Sequence, residues 1–189
     1  MPKVLVFAGS ARRDSLNKKL ARCAHAAVGA AGAEATFVDL DEYPIPLYHG
    51  DLEAREGIPA NARKLKDLFQ AHDALFIVSP ENNASIPAPL KNMLDWLSRD
   101  DGAESGLAPY RNKVAAIAAA SPGYYGGLRG LVHLRQVLMN LTVLVLTEQM
   151  ALAHADQAFQ PDGTLKDPKQ QAMLERIAKR LVEVTTKLA

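Results

Sequence analysis

Short apolar runs alternate with stretches in which apolar residues recur every third or fourth position, from one end of the sequence to the other. The runs at 4–8, 36–40, 75–78, 114–120 and 143–146 are too short for buried helices and read as strands. Most carry no polar alternation, the mark of strands buried on both faces in a parallel sheet. The intervening stretches are helical. Leu16, Leu20, Ala24 and Ala27 mark one helix, and Ala62, Leu65 and Phe69 another. Leu90, Leu94 and Leu97 mark a third, and Leu128, Leu131, Leu134 and Leu138 a fourth. Met173, Ile177, Leu181, Val184 and Leu188 place a long amphipathic helix at the end. Five strands alternating with five helices imply an α/β doubly wound parallel sheet with helices on both faces. The economical strand order is 2-1-3-4-5, which puts a ligand at the carboxyl ends of strands one, three and four. The 189 residues suit a single domain over 1–189. Tyr43-Pro44-Ile45-Pro46-Leu47-Tyr48 reads as a rigid surface excursion after the second strand.

Charge and cysteine content narrow the function. There are 22 Lys and Arg against 21 Asp and Glu, so the molecule as a whole attracts neither nucleic acid nor an anionic membrane. Cys23 is the single cysteine, which excludes an intrachain disulfide and a cysteine metal cluster; its alanine-rich surroundings read as those of a buried thiol. The first apolar run is too short for a signal peptide and no stretch is long enough to span a membrane, so a cytoplasmic protein is expected.

Three polar or glycine-rich loops follow strands one, three and four, and the proposed topology gathers them on one rim. Gly9-Ser10-Ala11-Arg12-Arg13-Asp14-Ser15-Leu16-Asn17 has the chemistry of a phosphate site. Ser10, Ser15 and Asn17 offer donors, Arg12 a permanent charge, and the helix starting at Ser15 its N–H groups and dipole. It contains no Gly-Lys-Ser/Thr, and no Gly-x-Gly-x-x-Gly occurs anywhere, which favours a terminal phosphate over a dinucleotide pyrophosphate. A plain N-cap at Ser15, with Arg12, Arg13, Lys18 and Lys19 solvated, accounts for the same residues. In the second loop Glu81, Asn82, Asn83 and Ser85 mix acceptors and donors, as a ring edge with two carbonyls and an N–H requires. A polar turn ahead of a helix opened by Pro87 and Pro89 is the alternative. Ser121-Pro122-Gly123-Tyr124-Tyr125-Gly126-Gly127 combines glycines that allow close backbone approach with two tyrosines able to cover a ring. Its alternative is an ordinary glycine-rich β–α turn.

The same residues resemble the NADPH-dependent FMN reductase family, which includes bacterial chromate, quinone and azo reductases and has a flavodoxin-like fold. Residues 9–17 match its Gly-Ser-x-Arg-x-x-Ser-x-Asn pattern. Residues 79–99 resemble its Pro-Glu-Tyr-Asn segment and following helix, and Ser121 to Gly127 and His133-Leu134-Arg135-Gln136 also fit. The resemblance implies that Ser10, Arg12, Ser15, Leu16 and Asn17 hold the FMN phosphate end. It implies that Pro80, Glu81, Asn82, Asn83 and Ser85 line the ring and ribityl side, with Ser121, Gly123 and Tyr124 completing the site. It further implies hydride transfer from NADPH or NADH to FMN and on to a small-molecule acceptor, and a homodimer or homotetramer. Asn82 and Ala84 stand where relatives carry tyrosines. Met150 stands where an acidic residue can pair across subunits, which leaves Arg129 in need of another partner. The cofactor carries the chemistry, so no side-chain acid, base or nucleophile is assigned, and His25 and His133 read as structural or surface residues. Two rivals stay open: a flavodoxin-type electron carrier that does not oxidise nicotinamide, which the near-neutral charge opposes, and a non-enzymatic module using the first loop for another phosphate ligand or a protein partner.

Overall fold

The computed structural model describes residues 1–102 and 105–188. Strands β1 (Lys3–Ala8), β2 (Glu34–Val38), β3 (Ala74–Val78), β4 (Val114–Ala120) and β5 (Leu144–Leu152) form a parallel sheet in the order β2-β1-β3-β4-β5. Successive side chains on a strand point to opposite faces, and the two layers divide accordingly. Val4, Val6 and Ala8 pack with α1 (Leu16–Ala30) and α6 (Pro168–Leu188). Leu5 and Phe7 pack with α3 (Ala60–Ala71), α4 (Ala88–Leu97) and α5 (Leu128–Asn140). β4 is buried throughout and consists of Val114, Ile117 and five alanines. It meets α1 and α6 on one face and α5 on the other, so small side chains are what the available space admits.

The differences from the sequence reading have physical causes. β2 ends at Val38, because Asp39 turns to cap a short 3-10 segment (Leu40–Glu42), accepting the Asp41 N–H at 3.0 Å. β5 runs on to Leu152 through a polar stretch, as a strand at the sheet edge can. Its register with β4 jumps between Ala115↔Val145 and Ile117↔Gln149. Arg135 of α5 covers the irregularity, donating to the carbonyls of Val145 (3.3 Å) and Leu146 (2.6 Å) and to Gln149 Oε1 (2.9 Å). Met150 is 2% exposed and belongs to the core on the α1 and α6 side.

A further helix, α2 (Gly50–Glu56), has no counterpart in the sequence reading; it buries no residue and so has no apolar period to betray it. The segment 43–48 lies at the surface, as expected, and is pinned to α4. The Pro46 carbonyl accepts from Trp96 Nε1 (2.8 Å) and Asn92 Nδ2 (3.0 Å), and the Tyr48 ring meets Trp96 edge-on at 5.0 Å. Cys23 is half-buried rather than buried; it donates to the Gly163 carbonyl at 3.2 Å, and burial pushes its thiol pKa up.

Close packing on both faces of β4 leads to a quantitative expectation. Ala118→Leu should cost about 2 kcal/mol through overpacking, read as a lower urea midpoint at unchanged slope. An unchanged midpoint would show that the layers have slack at this strand.

Candidate functional site

A cavity of about 470 Å³ opens at the carboxyl ends of β1, β3 and β4. The first loop contributes Ser10, Arg12, Ser15, Leu16 and Asn17 to its wall. The second contributes Pro80, Glu81 and Asn82, and the third Ser121. Asn83, Ser85, Gly123 and Tyr124 do not line it. Ser85 instead borders a second, wider groove of about 810 Å³ with His133, Lys91 and Asp95.

The first loop leaves β1 at Gly9, whose N–H is held by the Val78 carbonyl at 2.9 Å. Ser15 is extended and caps α1, its Oγ accepting the Lys18 N–H at 3.4 Å. The N–H groups of Leu16 and Asn17 that follow have no intrahelical acceptor, as at any helix start, and both residues line the cavity. Ser10 Oγ accepts the Arg12 N–H at 3.3 Å, and the exposed Arg12 donates to the Asp14 carbonyl at 2.8 Å. Asn17 has a second duty. Its amide donates to the Ala120 carbonyl and accepts the Ala120 N–H, each at 2.9 Å, which ties α1 to the last residue of β4. Lys18 is not solvated: it is 5% exposed and its ammonium lies 2.6 Å from Asp39 and 3.3 Å from the Ala11 carbonyl. Lys19 is exposed, 5.9 Å over the Phe159 ring.

In the second loop the backbones of Asn82 and Ser85 bond each other in both directions, at 2.9 and 3.0 Å. The two residues between them are left-handed, Asn83 at φ 50° and Ala84 at φ 63°. Asparagine tolerates that conformation and alanine much less, so the turn persists only because its ends are held. The first turns of α5 hold them. Glu81 accepts from Arg129 Nε (2.8 Å) and from the Gly130 N–H (3.1 Å), while His133 Nδ1 lies 2.9 Å from Ser85 Oγ. The Glu81 side chain is 8% exposed. Burial pushes its pKa up, but the Gly130 N–H and the Arg129 guanidinium outweigh that and hold it below the ordinary value. The Glu81 carboxylate, expected from the sequence to offer acceptors to a ligand, is therefore committed to α5, and Arg129 finds in it the partner that Met150 does not provide.

The third loop is anchored to the end of β5. The Ser121 N–H bonds the Leu152 carbonyl, and the Ser121 carbonyl accepts the Ala155 N–H, each at 3.0 Å. Gly126 (φ 59°) and Gly127 (φ 92°) serve this anchoring. A Cβ at Gly126 would fall 2.6 Å from the Ala153 nitrogen, and one at Gly127 2.6 Å from the Ala119 Cβ. Tyr124 and Tyr125 are exposed and pack edge-on against each other at 5.4 Å, with Arg129 over the Tyr125 ring. His25 bonds the Ala35 carbonyl at 3.1 Å and does not line the cavity. Among the described residues no cluster of three or more His, Cys, Asp or Glu is placed to hold a metal ion.

A doubly wound parallel sheet in this order, with a helix N-terminus, an arginine and hydroxyls converging at its switch point, defines a flavodoxin-like flavoprotein scaffold. The chain belongs to the NADPH-dependent FMN reductase family, whose model matches residues 2–157. It is 35% identical over 164 residues to the 2-hydroxy-1,4-benzoquinone reductase of a Burkholderia species, covering 86% of this chain and 85% of that protein. It is 34% identical over 175 residues to an NAD(P)H-dependent FMN reductase of Pseudomonas aeruginosa, covering 92% and 90%. Its structure is similar to that of FerB, a flavoenzyme NAD(P)H:(acceptor) oxidoreductase of Paracoccus denitrificans, with a TM-score of 0.81, 28% identity and coverage of 99% and 98%. The protein is an oxidoreductase of the FMN-dependent, NAD(P)H-using kind.

The Glu81 clamp carries a pH signature. A carboxylate held below its ordinary pKa of 4.5 adds stability that is fully present above that value and is lost as the pH falls through the lowered one. Glu81→Gln should lower the urea midpoint at neutral pH, and the gap to wild type should close on acidification below about pH 4.5. A gap that stays constant with pH would show that the charge is not what holds the loop.

Proposed function

We propose that the cavity between the three loops binds FMN and that the protein is an NAD(P)H:quinone-type reductase. The observation that carries this reading is the convergence, on one cavity wall, of the α1 N-terminus, Arg12 and Ser10. The donor set fits a terminal monophosphate: two N–H groups with the helix dipole behind them, hydroxyls, and one guanidinium. A volume of about 470 Å³ also falls in the range of roughly 300–1,000 Å³ usual for small-molecule sites.

In this reading Ser10, Arg12, Ser15, Leu16 and Asn17 hold the phosphate. Pro80, Asn82 and Ser121 border the ring side, and Glu81 and Ser85 act from behind as supports through α5. Asn83, Gly123 and Tyr124 lie outside the cavity wall. Bound FMN supplies acceptance of hydride from NADPH or NADH and its delivery to a second acceptor. The chain contributes binding, orientation and a fixed pattern of N–H donors, with no side-chain acid or base assigned to the reaction. Asn82 and Ala84, both smaller than tyrosine, leave the ring side of the cavity without an aromatic wall from this loop. That openness favours flat, variable acceptors. A quinone is our first choice, since the Burkholderia relative is named for one; free flavin, azo compounds and chromate are further acceptors for the same assay. We further propose that residues 1–189 act as one FMN-binding domain, in a homodimer or homotetramer in the cytoplasm. Among the described residues no helix is long and apolar enough to cross a membrane.

Protein reconstituted with FMN should lose its visible flavin absorption on anaerobic mixing with NADPH or NADH, and a quinone should restore it. Steady nicotinamide oxidation with quinone and no partner protein separates the enzyme from an electron carrier; absence of bleaching would overturn the reading. Arg12→Ala should raise the Kd for FMN about tenfold by removing a charge-assisted phosphate contact, leaving riboflavin binding unaltered. Equal loss of both flavins would place Arg12 elsewhere in the site.

A further inference from the structure

We propose that Lys18 is a positioning residue that sets the first loop for a monophosphate, an inference that rests on the FMN reading above. Lys18 sits in the first turn of α1 and works at both ends. Its backbone N–H completes the Ser15 cap at 3.4 Å. Its ammonium, at the far end of the side chain, reaches back to the Ala11 carbonyl at 3.3 Å. Ala11 lies between Ser10 and Arg12 and borders the cavity itself. Engaging its carbonyl keeps a partial negative charge away from an incoming anion and fixes the backbone that carries Ser10 and Arg12.

The second half of the argument concerns Asp39. β2 lies beside β1, so a carboxylate just past the end of β2 stands next to the first loop. Unpaired, it would repel a phosphate. The Lys18 ammonium lies 2.6 Å from Asp39 Oδ1, the oxygen that also accepts the Asp41 N–H at 3.0 Å. With a side chain only 7% exposed, this ammonium is tolerable only because it is paired. In dinucleotide-binding sheets an acidic residue downstream of the first loop accepts from a ribose hydroxyl. Here the corresponding carboxylate is committed within the protein. One buried lysine thus shapes the loop, cancels the adjacent negative charge and withdraws a ribose-binding group.

The test compares FMN with riboflavin, which lacks the phosphate, in fluorescence titrations of the apoprotein. Two variants are used: Lys18→Met, and Lys18→Met/Asp39→Asn, which leaves no unpaired, half-buried carboxylate to compromise folding. In the double variant FMN affinity should fall about tenfold while riboflavin affinity stays at the wild-type value. Lys18→Met, which restores the repulsion, should bind FMN more weakly still. Inorganic phosphate should raise the thermal midpoint of wild type and, at the same concentration, raise that of the double variant by less. Wild-type affinity for FMN in the double variant would overturn the proposal, as would an equal loss of both flavins. Wild-type protein that binds neither flavin overturns the FMN reading itself and is told apart by that control.

Discussion

A buried amide holds the site together. Asn17 is 5% exposed, and both polar ends of its side chain are satisfied by the backbone of Ala120. In the sheet order β1-β3-β4 this bond pair spans the strand between, joining the helix that follows β1 to the last residue of β4. A buried amide without partners is costly, so the pairing is strongly specified once α1 packs on the sheet. The same end of β4 passes into Ser121, which is tied to β5. The first and third loops therefore meet at a fixed separation, and the cavity is the space left between them and the second loop.

Each loop divides its polar groups between keeping shape and facing the cavity. In the first, Ser15 and Lys18 hold the backbone, while Arg12 and the opening N–H groups of α1 are directed to the pocket wall. In the second, Glu81 and Ser85 are occupied by α5, and Asn82 is left on the wall. The left-handed Asn83 and Ala84 carry the strain of turning the chain back so tightly. In the third, the glycines make room for the ends of β4 and β5. Supports and wall residues are interleaved by one or two positions, so a motif read along the sequence mixes the two.

That interleaving explains what was legible beforehand. Patterns with a local cause were readable: the apolar run 114–120 coincides with β4, and residues 75–78 fall one position short of β3. The strand order followed from topology rules, and with it the position of the cavity. What escaped depended on partners distant in sequence. The capping role of Asp39 and its pairing with Lys18, the hold of α4 on Pro46, and the Glu81–Arg129 pair each join residues 20 or more positions apart, apart from the local cap itself. α2 escaped for the opposite reason, since a helix whose one packed apolar residue is the half-buried Leu52 shows no apolar period. Within the site, the bonds of Glu81 and Ser85 to α5 and of Asn17 to Ala120 carry no local sequence signal, because a carboxylate or amide looks the same whether it faces a cavity or a neighbouring element.

A net charge of +1 hides large differences in how far each cation near the start of α1 is cancelled. Four basic residues cluster around the start of α1. Lys18 is neutralised by Asp39, and Lys19 lies over an aromatic ring at the surface. Arg13 is exposed beyond the cavity wall. Arg12 donates to a neutral carbonyl, so its charge is not cancelled by that contact, and it lies on the cavity wall beside the helix N–H groups. In the FMN reading proposed above, this charge and the α1 N-terminus are where a terminal phosphate has most to gain. Pro80, Pro87, Pro89 and Pro122 border the same cavity and bring no charge to it. Net charge says nothing of this polarity, because it comes from which cation each carboxylate reaches.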